Sequence, residues 1–252
     1  MAKDRVLHLP LFGASRAVSV PAPTGPVGLT ALLPAARRMT QAIMSAAVES
    51  EKKEGRGVTC KAGCAACCRH LVPITVVEAK SLGAALARLP TARREAVKRR
   101  FASALSKMES AGLAASSTTE PRSALLASKG ASNAWEDVSS RYQELAIPCP
   151  FLENERCVAY EDRPFVCREH MVTTDPRACT TGDGARAVVR PMYMTPALAA
   201  VARILDGASP SILPLPFMLE WLEAKGGELA SDHDGAEALD LLVDALEPSG
   251  EA

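Results

Sequence analysis

Residues 60–70 read Cys60-Lys61-Ala62-Gly63-Cys64-Ala65-Ala66-Cys67-Cys68-Arg69-His70, four cysteines within nine residues. The other four cysteines of the chain, Cys149, Cys157, Cys167 and Cys179, fall within thirty-one residues. The first 59 residues, the stretch 69–148 and the last 73 residues contain none. Clustering of this kind has three physical explanations. A disulfide framework needs an oxidising compartment and Cα atoms roughly 4.4–6.8 Å apart with aligned Cβ vectors, which C-x3-C-x2-C-C spacing makes awkward locally. Small buried hydrophobes account for one or two cysteines, not for two bunches flanked by Gly, Pro, Arg and His. Metal or iron–sulfur ligation accounts for both, because thiolates at short spacing let one turn of chain deliver two or three ligands to one centre.

The adjacent pair Cys67-Cys68 adds a constraint. Neighbouring side chains point about 180° apart on a strand and about 100° apart on a helix. Without a tight turn they serve two centres, or one of them is a spare or catalytic thiol. Eight ligands divide into two sets of four, the coordination number of structural zinc and of cubane clusters. One mixed site drawing on both groups is equally compatible with the spacing.

The second group is stiffened by proline. Pro148 and Pro150 bracket Cys149, and Pro150 biases Cys149 toward extended backbone. Pro164 stiffens the run between Cys157 and Cys167. Asp175-Pro176 and Thr181-Gly-Asp-Gly184 mark turns on either side of Cys179. Taken together, Cys60-x3-Cys64-x2-Cys67-Cys68-Arg69, then Cys149-Pro-Phe-Leu, then Cys157-x2-Tyr160-x2-Arg163-Pro164-x2-Cys167-Arg168, resemble the YkgJ-type cysteine-cluster family. That family is described as a zinc- or iron-chelating domain. The likeness spans roughly residues 58–180, and the first group departs from many members by C-x3-C in place of C-x2-C. The resemblance implies a metal-binding module. Some related modules are attached to protein lysine N-methylases, but no residue here assigns such a substrate.

All eight cysteines are therefore candidate metal ligands, for an iron–sulfur cluster of 4Fe–4S type or for zinc. Arg69, Arg163 and Arg168 are candidates to donate hydrogen bonds to the centre, since four thiolates around a divalent ion leave a net charge of −2. Their ordinary alternative is a surface salt bridge. His170 follows Cys167 by three positions and His70 follows Cys68 by two. Each is a ligand, a proton donor, a supporting partner or a bystander. His8 and His233 carry no such signal.

Beyond the cysteines, the chain of 252 residues has 29 basic and 29 acidic side chains and a formal charge of zero. Balance of that kind removes the usual grounds for nucleic-acid or membrane-surface attraction. Hydrophobic residues at 48% exclude a wholly disordered chain, while 44 alanines against 4% aromatics favour helix. No run approaches the ~18 apolar residues of a membrane span. Pro10, Gly13 and Arg16 interrupt any secretory h-region, so the expected compartment is the cytosol.

Periodicity predicts helices over about 30–54, 75–89, 91–111, 135–145, 217–225 and 236–246, with a further helix opening at 195–196. Thr75-Val-Val-Glu78 reads as a capping box, which makes Glu78 a cap rather than a ligand. Thr195-Pro196 fits an N-cap followed by the first helical position. Ala114 to Glu120 reads as a small-polar loop, and Arg186 to Met194 as holding a short strand. The expected fold is mainly α, a helical domain around a loop-built cysteine-rich metal core with few or no strands. Its parts are an extended N-terminal arm (1–28), a cysteine-cluster helical domain (29–206) and an acidic helical extension (207–252). The basic face of 91–110 and the ten acids of 219–252 read as solvated faces.

Three functions compete. The first is a metal-binding protein, redox-active or cluster-handling, whose partners are the metal or cluster and an unidentified protein, with no nucleic acid and no membrane. The second is an iron–sulfur-dependent enzyme of protein-modifying or oxidoreductase type. Cys60-x3-Cys64-x2-Cys67 copies the spacing of radical S-adenosylmethionine enzymes, but too few strands alternate with the helices to build their βα barrel. The third is a structural zinc module for protein–protein interaction.

Overall fold

A computed structural model describes residues 3–61, 63–114, 132–181, 184–209, 211–226 and 231–246. The loop expected at 114–120 lies, beyond Ala114, outside them, as do two residues of the turn at 181–184.

The N-terminal arm is not an extended strap. β1 (Lys3–Leu11) and β2 (Ala14–Ala22) form an antiparallel hairpin in register from Lys3↔Ala22 to Leu11↔Ala14. Phe12 (φ 50°) and Gly13 (φ 75°) close it with two left-handed residues, the turn whose twist matches that of paired strands. A two-residue turn makes Leu11–Ala14 a hydrogen-bonded pair. Strict alternation then places Pro10 and Pro21 at non-bonded positions, where a missing N–H costs nothing. Leu7, Leu9 and Leu11 point inward with Val20 and Ala22, onto the long helix α1 (Leu33–Lys53).

Further short pairings correct the expectation of few or no strands. β3 (Pro26–Val27) pairs with β8 (His233–Asp234), and β4 (Pro73–Thr75) with β7 (Ile212–Pro214). β5 (Leu152–Glu153) pairs with β6 (Arg156–Cys157). Among the described residues 54% are helical and 16% lie in strands, so the fold is mixed α/β with helix in the majority. The strands tie distant segments: residues 212–214 and 233–234 are held against residues 73–75 and 26–27. The segment 186–194 carries only an isolated bridge, Val172↔Ala187.

Helices fill the rest: α2 (Val76–Ala87), α3 (Thr91–Ser110), α4 (Ser132–Glu144), α5 (Phe165–Glu169), α6 (Ala178–Thr181), α7 (Met194–Asp206), α8 (Met218–Lys225) and α9 (Gly235–Asp244). Buried side chains on α1 recur at 36, 39, 43 and 47, one face of a 3.6-residue period. α2 packs against α7 and α8. A Cβ at Gly83 would stand 2.7 Å from Leu222 Cδ1, so a side chain there would make the tip of Leu222 turn aside. Leu7, Met39, Phe101, Phe165, Leu198, Phe217 and Leu242 belong to a single buried cluster, which draws on residues from all three segments marked out by composition.

The expected capping box is present. Thr75 Oγ1 accepts the Glu78 N–H at 3.1 Å, and Glu78 Oε2 accepts the Thr75 N–H at 2.7 Å. The cap expected at Thr195 is not formed. α7 begins at Met194, and the Met194 N–H donates instead to Glu169 Oε1 at 3.0 Å. That buried carboxylate, also 3.4 Å from Arg190 Nε, reaches the helix start from another element.

Candidate metal centre

The two cysteine groups, eighty residues apart in places, meet through the backbone. The Cys149 N–H donates to the Cys68 carbonyl at 2.7 Å. The Thr59 N–H donates to the Val172 carbonyl at 3.0 Å, and the Val172 N–H points at Cys60 Sγ at 3.3 Å. Both ends of the first group are thus sewn to the second.

Local structure explains how each thiol is placed. Residues Ala66–Arg69 form one 3-10 turn. Successive side chains there diverge by about 120°, so Cys67 and Cys68 face different neighbours while their sulfurs stay within hydrogen-bond reach. The β5–β6 hairpin turns on Asn154 (φ 50°) and Glu155 (φ 55°) and sets Cys157 opposite Leu152. α5 carries Cys167. Its first amide, Phe165 N–H, donates to Glu78 Oε1 at 2.7 Å, and its last residue, Glu169, caps α7. Glu78, 4% exposed, therefore pins the starts of two helices at once. Cys179 lies on α6, where its carbonyl is 2.5 Å from His70 Nε2 and its sulfur 3.7 Å from His170 Nε2.

Cys64, Cys67, Cys68, Cys149, Cys157 and Cys167 line a single cavity of about 530 Å³, with Arg163 and Tyr160 at its wall. All eight cysteines are free thiols, Cys179 buried and the others partly so. Their mutual electrostatics divide them. Burial, then neighbouring Cys157, pushes Cys149 up to about 12. Burial, then Cys149, Cys67 and Cys157, pushes Cys167 well above the ordinary thiol range. Cys68 is raised by its bond to Cys67, with Cys149 and Cys167 adding to the effect. On the other side, burial together with Cys67, Cys60 and Cys64 raises Cys179 to about 11, and burial with Cys64 and Cys67 among its causes raises Cys60. Cys149 and Cys157 thus act on Cys167, Cys60 and Cys64 act on Cys179, and Cys67 acts on both sets. Cys67 itself is lowered to about 7, chiefly by the hydrogen bond from Cys68, with Arg163 contributing.

Of the expected arginines, Arg163 faces the thiols. Its guanidinium lies 4.4 Å from the Tyr160 ring centroid and lowers both Cys67 and Cys157. Arg69 donates to the Ala65 carbonyl at 3.1 Å and pairs with Glu155 at 3.0 Å, locking the 3-10 turn to the β5–β6 hairpin. Arg168 is turned to the 161–163 loop, donating through Nε to the Arg163 carbonyl at 3.0 Å, and lines a different space. His170 is part-buried against His70, ring centroids 5.8 Å apart, and burial lowers its pKa. The basic helix also serves the site. Arg100 Nε donates to the Pro150 carbonyl at 2.7 Å and Arg93 to Glu153 at 2.8 Å, holding the chain that follows Cys149. The sequence motif includes Tyr160 without assigning it a role, and it misses Glu155, because a glutamate in a turn has no spacing signature.

Among the described residues, no three His, Cys, Asp or Glu side chains stand close enough together to hold one ion. The thiols ring a roomy cavity instead. A single tetrahedral zinc at about 2.3 Å from each sulfur draws its ligands tightly together. A multi-iron cluster bonds each thiolate to a different iron, so its ligand sulfurs stand farther apart. The donor set is soft sulfur throughout, which suits either. No helix among the described residues is long and apolar enough to cross a membrane. No protein-family model, curated protein or solved structure matches the chain.

Proposed function

We propose that the chain is a metal-binding protein that holds iron–sulfur through its two cysteine groups and serves in electron transfer or cluster handling. The observation that carries this is the convergence of six thiols from both groups on one cavity, with Arg163 in its wall. Cys68, Cys149, Cys157 and Cys167 form one four-thiol set; Cys60, Cys64, Cys67 and Cys179 form the second, with His70 and His170 beside it. The likeness of the cysteine runs to the YkgJ-type family supports the same reading. When bound, the cluster supplies one-electron chemistry. The protein holds the thiolates, offsets their charge through Arg163, and limits solvent by burying Cys179 and the Cys149 segment.

Anaerobic purification followed by iron, sulfide and zinc analysis with an absorbance spectrum tests this. Iron and sulfide with absorption at about 400 nm that bleaches on reduction is the expected outcome. Zinc alone, colourless and redox-silent, would replace the proposal by a structural zinc module. Protein that neither carries nor takes up metal would end it.

A further inference from the structure

A second cavity, about 800 Å³, runs along α1 on the far side of Arg163. One wall is a stripe of α1 at helical spacing, Arg37/Arg38, Gln41, Met44/Ser45, Val48/Glu49 and Lys52; the other carries Arg163, Arg168 and Met171. Five cations and one carboxylate line it. The carboxylate, Glu49, is paired with Arg16 of the hairpin at 2.6 Å, and Arg37 with Asp162 at 2.8 Å. Among the described residues, Arg38, Lys52, Arg163 and Arg168 make no ion pair.

Thr40 lies beneath the groove, 2% exposed, and its Oγ1 has no hydrogen-bond partner among the described residues. Arg163 Nε is buried and unpartnered as well.

We propose that this groove binds a small phosphorylated organic molecule. Its phosphate oxygens accept from Arg38, Arg163 and Arg168, and its organic body lies over Met44, Val48 and Met171. Guanidinium forks match phosphate oxygens in pairs. The stripe from Arg37 to Lys52 spans about 22 Å, long enough for charged and apolar parts to be read separately. The site shares Arg163 with the thiol cavity.

Isothermal titration calorimetry on the purified full chain at 0.15 M salt, with ATP, pyrophosphate, adenosine and citrate as probes, tests it. ATP should bind at least tenfold more tightly than adenosine or citrate, with pyrophosphate in between. Arg38→Glu should weaken ATP at least tenfold. Lys107→Glu, the same charge change on exposed α3, should leave it within twofold. The proposal is overturned if ATP and pyrophosphate fail to bind at millimolar concentration, if citrate binds best, or if Arg38→Glu and Lys107→Glu act alike.

Discussion

The two halves of the thiol array are built in opposite ways. Cys149, Cys157 and Cys167 pack against the main hydrophobic cluster and are placed by a hairpin and a helix anchored on Glu78. Cys60 and Cys64 sit in irregular chain between α1 and the 3-10 turn, and Cys179 on a four-residue helix tied by His70. The first half is held by the fold itself. The second depends on a few hydrogen bonds, so a metal bound there would also order chain. A cysteine site of this kind pairs a preformed template with an adaptable closure.

Removing ligands sharpens the contrast most. Cys157→Ser should abolish nearly all bound iron and lower Tm, whereas Cys64→Ser should lower iron partially, both read by metal analysis and melting. Equal losses would show that the halves act as one centre, and wild-type iron and melting in both variants would show that the thiols do not ligate. Thiol reactivity follows in size. In metal-free protein at pH 7, Cys67, at about 7, should react with iodoacetamide well before Cys149, at about 12. The lower intrinsic nucleophilicity of an acidic thiol offsets part of the thiolate advantage, leaving roughly a hundredfold in rate. Peptide mapping reads the order.

Cutting the anchor is the next test. Glu78→Ala removes the acceptor for Thr75 and Phe165 and should cost about 3 kcal/mol by denaturant unfolding. Burial raises the Glu78 pKa from 4.5, so the folded chain retains a proton that the unfolded chain releases. Its contribution to stability is full below about 4.5 and declines as pH rises through the folded value. Glu78→Gln should remove that decline from a stability–pH curve. Smallest is Gly13→Ala at the hairpin tip, where φ is 75°, expected to cost about 1 kcal/mol. It should leave iron content unchanged, because the hairpin touches α1 rather than the thiols.

Helices were legible because alanine-rich runs with apolar residues at 36, 39, 43 and 47 have one reading. Glu78 was legible as a cap because its partner Thr75 lies three residues away. The strands were hidden for local reasons. Both hairpins turn on pairs other than Asn-Gly, Phe12-Gly13 and Asn154-Glu155, and two-residue strands such as β3 and β8 are defined only by a partner elsewhere in the chain. Glu169 was invisible as a cap because its helix starts twenty-five residues later. The meeting of the cysteine groups followed from chemistry alone. Which arginine faces the sulfurs did not, since Arg163 and Arg168 differ only in where a short loop sends them.

Arg163 stands in the partition between two chambers, bordering the sulfurs on one side and the α1 groove on the other. On the proposed readings, a phosphate in the groove and thiolates around a cluster would compete for that one guanidinium, so filling one chamber would be felt in the other.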